Sequence, residues 1–298
     1  MHKESGLSVK DGRLREVVAA LGSVGVAYSG GVDSTLLLAV CREVLGPERV
    51  LALTAQSEVV PAVELAQAAE MARQLGVRQR IVHFDALSNP HISANRPDRC
   101  YHCKQALFTR LLEITRAEGL AVLVHGANLD DTGDYRPGMR AAEELGVRAP
   151  LLEAGFTKAD VRALSRHEGL PTWDLPSMAC LASRIPYGTP LTNEALARID
   201  AAESALRERF ALRQLRVRDH FPLARLEVPE ADIARLSQPE IREEIVHRLQ
   251  ELGYRYVTLD LQGFRSGSMN ETMNNETMNN ETMNNEQMAN RRSQTADD

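Results

Sequence analysis

Apolar residues fall along the chain in short blocks separated by polar turns, and their period changes from block to block. Residues 24–28 are a brief apolar run ending at a glycine pair, which reads as a buried strand. Leu36, Leu37, Val40, Cys41, Val44 and Leu45 then recur at helical spacing. A second strand is predicted over 50–54 and a second amphipathic helix over 61–75, with Gly76 just past its end as a C-cap. Residues 80–84 read as a third strand, 101–117 as a helix after a long loop, and 121–125 as a fourth strand. Apolar strands alternating with helices predict an α/β fold built on a parallel sheet covered on both faces.

After Pro176 the pattern changes. A helix over 193–209 is followed by two half-buried strands, 215–218 and 224–228, a helix over 238–252 and a strand over 254–259. The expected organisation is a first domain over 1–175, a smaller α+β domain over 176–268, and a tail over 269–298. In that tail Asn-Glu-Thr-Met-Asn recurs every five residues from Asn270 to Asn284. Five is neither the helical nor the strand period and aromatic residues are absent, so the tail is expected to be disordered.

The 298 residues are 43% hydrophobic and 26% charged, ordinary for a soluble protein. No apolar run approaches the ~20 residues that cross a bilayer, and the N-terminus lacks the apolar core of a signal peptide. The cytoplasm is therefore the expected compartment. Six acids and two bases lie from Met269 onward, so the tail carries most of the net charge of −6 and the body is nearly neutral. Bulk charge thus argues against a nucleic-acid partner.

Ser29-Gly30-Gly31-Val32-Asp33-Ser34-Thr35 follows the first strand and opens a helix. Gly30 and Gly31 let backbone approach an anion, and the helix's first amides point at it. Ser29, Ser34 and Thr35 offer hydroxyl donors, while Asp33 suits a Mg²⁺ ion held against phosphates. No lysine follows the glycines, which distinguishes the run from the Walker A pattern. The alternative is an ordinary glycine turn, but the whole run after a strand favours phosphate. It resembles the loop of the PP-loop ATP pyrophosphatases, which have an adenine-nucleotide α-hydrolase-like fold and pass AMP to a substrate while releasing pyrophosphate. His125-Gly126-Ala127-Asn128-Leu129-Asp130-Asp131 resembles the second nucleotide-side segment of that group, which implies that Gly126, Asn128 and Asp131 serve ATP. It follows a parallel strand at its carboxyl end, where such sheets bind ligands.

Four cysteines are present, Cys41, Cys100, Cys103 and Cys180. Cys41 lies on the apolar face of its helix and reads as core. Cys100 and Cys103 form a Cys-x-x-Cys pair that reads as metal or redox chemistry, zinc and a disulfide included. Beyond the loop, the chain resembles the LarE family of sulfur transferases, which build the nickel-pincer nucleotide cofactor. The resemblance runs from about Leu14 to Met269. It rests on Arg99-Cys-Tyr-His-Cys-Lys104, Gly133-Asp-Tyr-Arg-Pro-Gly138, Pro176-Ser-Met-Ala-Cys-Leu-Ala-Ser-Arg184, Arg216-Val-Arg-Asp-His220, Ala224-Arg-Leu-Glu-Val228 and Gly263-Phe-Arg-Ser-Gly267.

The family implies adenylation of a carboxylate on a pyridinium biscarboxylate mononucleotide, then conversion to a thiocarboxylate. Cys180 is the expected sulfur nucleophile, with Arg184 beside it to lower the thiol pKa or to bind substrate phosphate. The sulfur comes either from Cys180 itself, leaving dehydroalanine, or from a sulfide on a [4Fe-4S] cluster held by Cys100, Cys103 and Cys180. The three cysteines favour the cluster. Arg216 and Arg218 alternate along one strand and share a face suited to the substrate's phosphate. Glu227 is placed to orient one of them, and Asp134 and Arg136 are further substrate candidates. The family also implies a homo-oligomer. Two rivals stand beside this reading: a PP-loop tRNA thiolase, and a non-catalytic adenine-nucleotide sensor.

Overall fold

The structure is a computed structural model that describes residues 2–132, 137–176 and 179–265. Its elements run α1 (His2–Ala19), β1 (Val24–Ala27), α2 (Val32–Leu45), β2 (Val50–Gln56), α3 (Ala62–Gln74), β3 (Arg78–His83), α4 (Pro90–Ser93), α5 (Arg99–Ala117) and β4 (Val122–His125). Then come α6 (Pro137–Glu144), α7 (Pro150–Glu153), α8 (Lys158–His167), α9 (Asn193–Phe210), β5 (Arg216–His220), β6 (Leu223–Glu227), α10 (Glu230–Leu236), α11 (Pro239–Glu251) and β7 (Tyr256–Leu259).

The expected α/β architecture is present. Strands β1 to β4 form a parallel sheet in the order β3-β2-β1-β4. Interior strands of a parallel sheet are covered on both faces, which is why β1 and β2 are almost continuously apolar. At the edge, β3 keeps only Val82 buried. Helix α2 turns Leu36, Leu37, Val40 and Cys41 into the main core, where Val24, Val26, Phe156 and Val161 meet them. Strand order reverses between β1 and β4, and a crevice opens beyond their carboxyl ends at such a point.

Helix α1 is absent from the sequence expectation. Among the described residues, its apolar anchors on the core are Leu7, Leu14 and Val18, set among charged residues, so its periodic signal is faint.

The chain divides into two compact units, Met1–Arg213 and Gln214–Asp298. This division lies beyond the expected 175/176 boundary because α9 belongs to the first unit: Leu196 and Ile199 pack with Val59, Ala86, Ile92 and Leu181. The second unit pairs β5 antiparallel to β6 and β6 parallel to β7. Val217, Leu226, Ile245 and Leu249 are buried in it. The repetitive tail lies outside the described residues.

Candidate active site

The loop from Ser29 to Thr35 is held by its own side chains. Ser34 Oγ donates to Gly31 O at 3.2 Å and lies 3.1 Å from Ser29 Oγ, which accepts from the Gly31 amide at 3.4 Å. Gly30 adopts φ +78°, and a Cβ there would come within 2.8 Å of Ala68 Cα, so this position requires glycine twice over. Around Gly31 the space is open apart from Ser29 Oγ. Ser34 is mostly buried and Thr35 wholly so, which leaves Ser29 as the more accessible hydroxyl of the three.

Asp33 is the crossing point of this end of the sheet. Its Oδ1 accepts from Asn128 Nδ2 at 3.0 Å, and its Oδ2 is ion-paired with Lys158 at the start of α8. Asn128 is buried and caps the turn 129–131: its Oδ1 accepts from Asp130 N, while Asp131 Oδ2 accepts from Asn128 N, each at 3.0 Å. Asp130 also accepts from the Lys158 amide at 2.7 Å. Asn128 and Asp131 therefore shape the second loop and bring it to Asp33. Gly126 supports the same junction, since a Cβ there would meet Ser34 N at 2.9 Å. Lys158 went unassigned in the sequence because it sits in an ordinary amphipathic helix. It supplies the cation that the loop itself lacks, beside the Gly30–Gly31 turn in a cavity of about 310 Å³. His125, at the end of β4, packs on Phe108 and is pushed down to about 4 by burial, so it stays neutral.

Cys180 opens the turn Leu181–Arg184, whose Leu181 amide donates to Val59 O at 2.8 Å. Arg184 is only 2% exposed, and it donates two hydrogen bonds to Glu203, at 2.8 and 3.0 Å. Its Nη1 donates to the carbonyls of Ala179 and Cys180 at 2.6 and 3.2 Å. The expectation that Arg184 could bind a substrate phosphate is thus corrected: the side chain is enclosed and clamps the turn carrying Cys180. Glu203 is fully buried, and it also accepts from Arg207 at 2.6 Å. It was missed because its sequence position on α9 gives no hint of a partner 19 residues earlier.

Cys100 and Cys103 lie in the first turns of α5, and Cys103 and Cys180 pack on one apolar cluster. Burial pushes the Cys103 thiol up to about 11, with the neighbouring Cys180 and Cys100 adding to it. Cys100 is raised too, by burial and Cys180, against the pull of Arg99 and Lys104. The three sulfurs thus share one electrostatic neighbourhood. Among the described residues, no three His, Cys, Asp or Glu side chains are drawn into metal-binding geometry. Arg99 joins α5 to the Cys180 turn by bonding Asn95 Oδ1 and donating to Ala182 O at 3.1 Å. Cys41, as expected, is core.

A second cavity, of about 290 Å³, is lined by Cys180, Lys104 and Phe108. It shares Ser29 and Glu64 with the cavity at the phosphate loop, so the two adjoin.

A family model described as NAD synthase matches residues 9–106, the stretch that carries the loop. An NH(3)-dependent NAD(+) synthetase from Hyperthermus butylicus is 32% identical over 50% of this chain and 54% of its own length. A pyridinium-3,5-bisthiocarboxylic acid mononucleotide synthase from Lactiplantibacillus plantarum is 42% identical over 90% of this chain and 96% of that one. This chain belongs to that synthase family. It is the LarE family to which the motifs pointed. An uncharacterized protein from Synechocystis is 42% identical over 87% of this chain and 96% of that one.

Three of the remaining candidates of the LarE-family chain, Arg216, Arg218 and Glu227, lie in its second unit. Arg218 and Glu227 are both buried, joined through two hydrogen bonds of 2.9 and 2.7 Å. Arg216 stands directly across from Glu227 in the strand register, stacks over Phe264 with 4.4 Å to the ring centroid, and donates to Arg265 O at 3.3 Å. Asp134 and Arg136 lie outside the described residues.

Proposed function

We propose that this chain adenylates a carboxylate of a pyridinium biscarboxylate mononucleotide with ATP and converts it to the thiocarboxylate, in the cytoplasm. The observation that carries the reading is the pair of adjoining cavities, one walled by the phosphate loop and the other by Cys180. A carboxylate is a poor electrophile because its oxygen leaves badly, whereas an acyl-AMP leaves well. Adenylation at the loop followed by attack of sulfur from the neighbouring cavity needs this contiguity. The amides after Gly31 and the Lys158 ammonium would take the pyrophosphate end of ATP. A Mg²⁺ ion would compete with Lys158 for Asp33 and add its charge against the phosphates. Arg216 is the proposed contact for the substrate's phosphate, with Asp134 and Arg136 as further candidates; Arg218, enclosed and held by Glu227 through two hydrogen bonds, loses that expected role for the reason that Arg184 does.

The test is pyrophosphate release by the purified full-length protein with Mg-ATP. Release that rises with the pyridinium mononucleotide and ignores tRNA supports the reading. Release stimulated by tRNA instead would favour the thiolase rival, and nucleotide binding without release would favour the sensor.

The cysteine set also suits an iron–sulfur cluster. Cys100, Cys103 and Cys180 would hold it as thiolates, and it would supply an exchangeable sulfide when bound. Without it, Cys180 gives up its own sulfur. Anaerobic purification separates the two. The cluster predicts about four irons per chain, lost in Cys100→Ala. The sacrificial route predicts no iron and a protein lighter by about 34 Da after one turnover.

A further inference from the structure

Glu64 lies in the first turn of α3, which is entered through Pro61. Its Oε1 is buried without a hydrogen-bond partner in the structure. An orphaned carboxylate oxygen costs on the order of 1–3 kcal/mol or more, so it calls for an explanation. Among the described residues, Glu64 and Ser29 are the two that line both the phosphate-loop cavity and the Cys180 cavity. The orphan therefore stands at the junction where, on the proposed function, the acyl-adenylate and the sulfur nucleophile meet.

We propose that Glu64 is the proton acceptor for the sulfur nucleophile, an inference that rests on the adenylation and sulfur-transfer reading above. As Cys180 attacks, its Sγ–H bond breaks and the proton passes to the Glu64 carboxylate. The Sγ–C bond forms at the acyl carbon, and the C–O bond to the phosphate breaks, its electron pair leaving on AMP. A hydrosulfide delivered to the same place would lose its proton to the same acceptor.

The electrostatic setting suits that task. Burial is the largest influence and raises the Glu64 carboxyl to about 7. Arg184 and Arg207 pull it down, while Glu203 and Asp200 push it up. Lys104 and Lys158 stand on the walls of the two cavities, and Asp33 and Arg213 complete the charged lining on the phosphate side. A base that titrates near the working pH is the most effective kind. Above about pH 7 the carboxylate form dominates and accepts the proton; below it, the acid form cannot. Transfer should therefore rise with pH through this range.

The experiment is a two-stage assay of the full-length protein, wild type against Glu64→Gln and Glu64→Asp. Pyrophosphate release reports adenylation, and mass spectrometry of the quenched mixture reports acyl-adenylate and thiocarboxylate. Glu64→Gln, nearly isosteric, should affect pyrophosphate release in a single turnover far less than it affects sulfur transfer. Its thiocarboxylate formation should fall about 10²- to 10⁴-fold, acyl-adenylate should accumulate, and the rise near pH 7 should vanish. Glu64→Asp should restore part of the rate together with the pH dependence. The proposal is overturned by Glu64→Gln transferring sulfur at the wild-type rate and pH profile, or by both stages falling equally in both variants. A wild type that releases no pyrophosphate would instead sink the adenylation reading itself.

Discussion

Asp33 shows how one residue can be given two partners in wait for a third. Its carboxylate holds Asn128 and Lys158, and both the Asp33 and Lys158 side chains remain partly exposed. An ion pair of this kind contributes only about 0–1 kcal/mol, so Asp33→Ala should leave circular dichroism and melting nearly intact. It should nonetheless abolish substrate-dependent pyrophosphate release, because the metal's holder is gone; unchanged release would remove Asp33 from the mechanism. The sequence made Asp33, Ser29 and Gly30 legible because a loop between a strand and a helix states its chemistry locally. Lys158, Glu203 and Glu64 were illegible for the opposite reason. Each is a charged residue on a helix, and only folding shows which distant part of the chain it meets. Arg184 was legible as important but not in its role, since nothing local reveals the buried Glu203 that claims its guanidinium.

At the level of elements, the site depends on two loops pressed together at the carboxyl ends of β1 and β4. Gly126 on the β4 side leaves no room for a methyl group against the Ser34 amide. Gly126→Ala should therefore displace the start of α2 and lower pyrophosphate release at least about 10-fold, a small misplacement having a large kinetic effect. Steady-state assay with a melting curve checks this, and a fully active variant would mean that the junction gives way freely. A second element-level device is the clamp on the Cys180 turn. Glu203→Ala leaves Arg184 enclosed without its carboxylate, which should cost about 3–5 kcal/mol in urea unfolding. A loss below 1 kcal/mol would contradict the clamp. The strands and the helices α2, α3, α5, α9 and α11 were readable from period alone, with ends shifted by a residue or two. Helix α1 was not, because its apolar residues are too sparse to set a period.

For the whole molecule, the phosphate loop, the cysteines and the Arg184 clamp all lie in the first unit, and the Arg216–Arg218 strand in the second. The repeat beyond Met269 offers methionines at a five-residue spacing and no other core-building residues. Truncation after Ser268 should thus change stability by less than about 0.5 kcal/mol and leave turnover unchanged, as urea unfolding and pyrophosphate release would register. A clear loss would give the tail a role in docking or assembly. The central claim joins ATP use to sulfur chemistry at Cys180. Its most direct test is the mass of the mononucleotide after one turnover with Mg-ATP, for the wild type and for Cys180→Ala. The account predicts one oxygen replaced by sulfur in the wild type, only with ATP, and no replacement in Cys180→Ala. Equal sulfur incorporation by the two proteins, or incorporation without ATP, would contradict it.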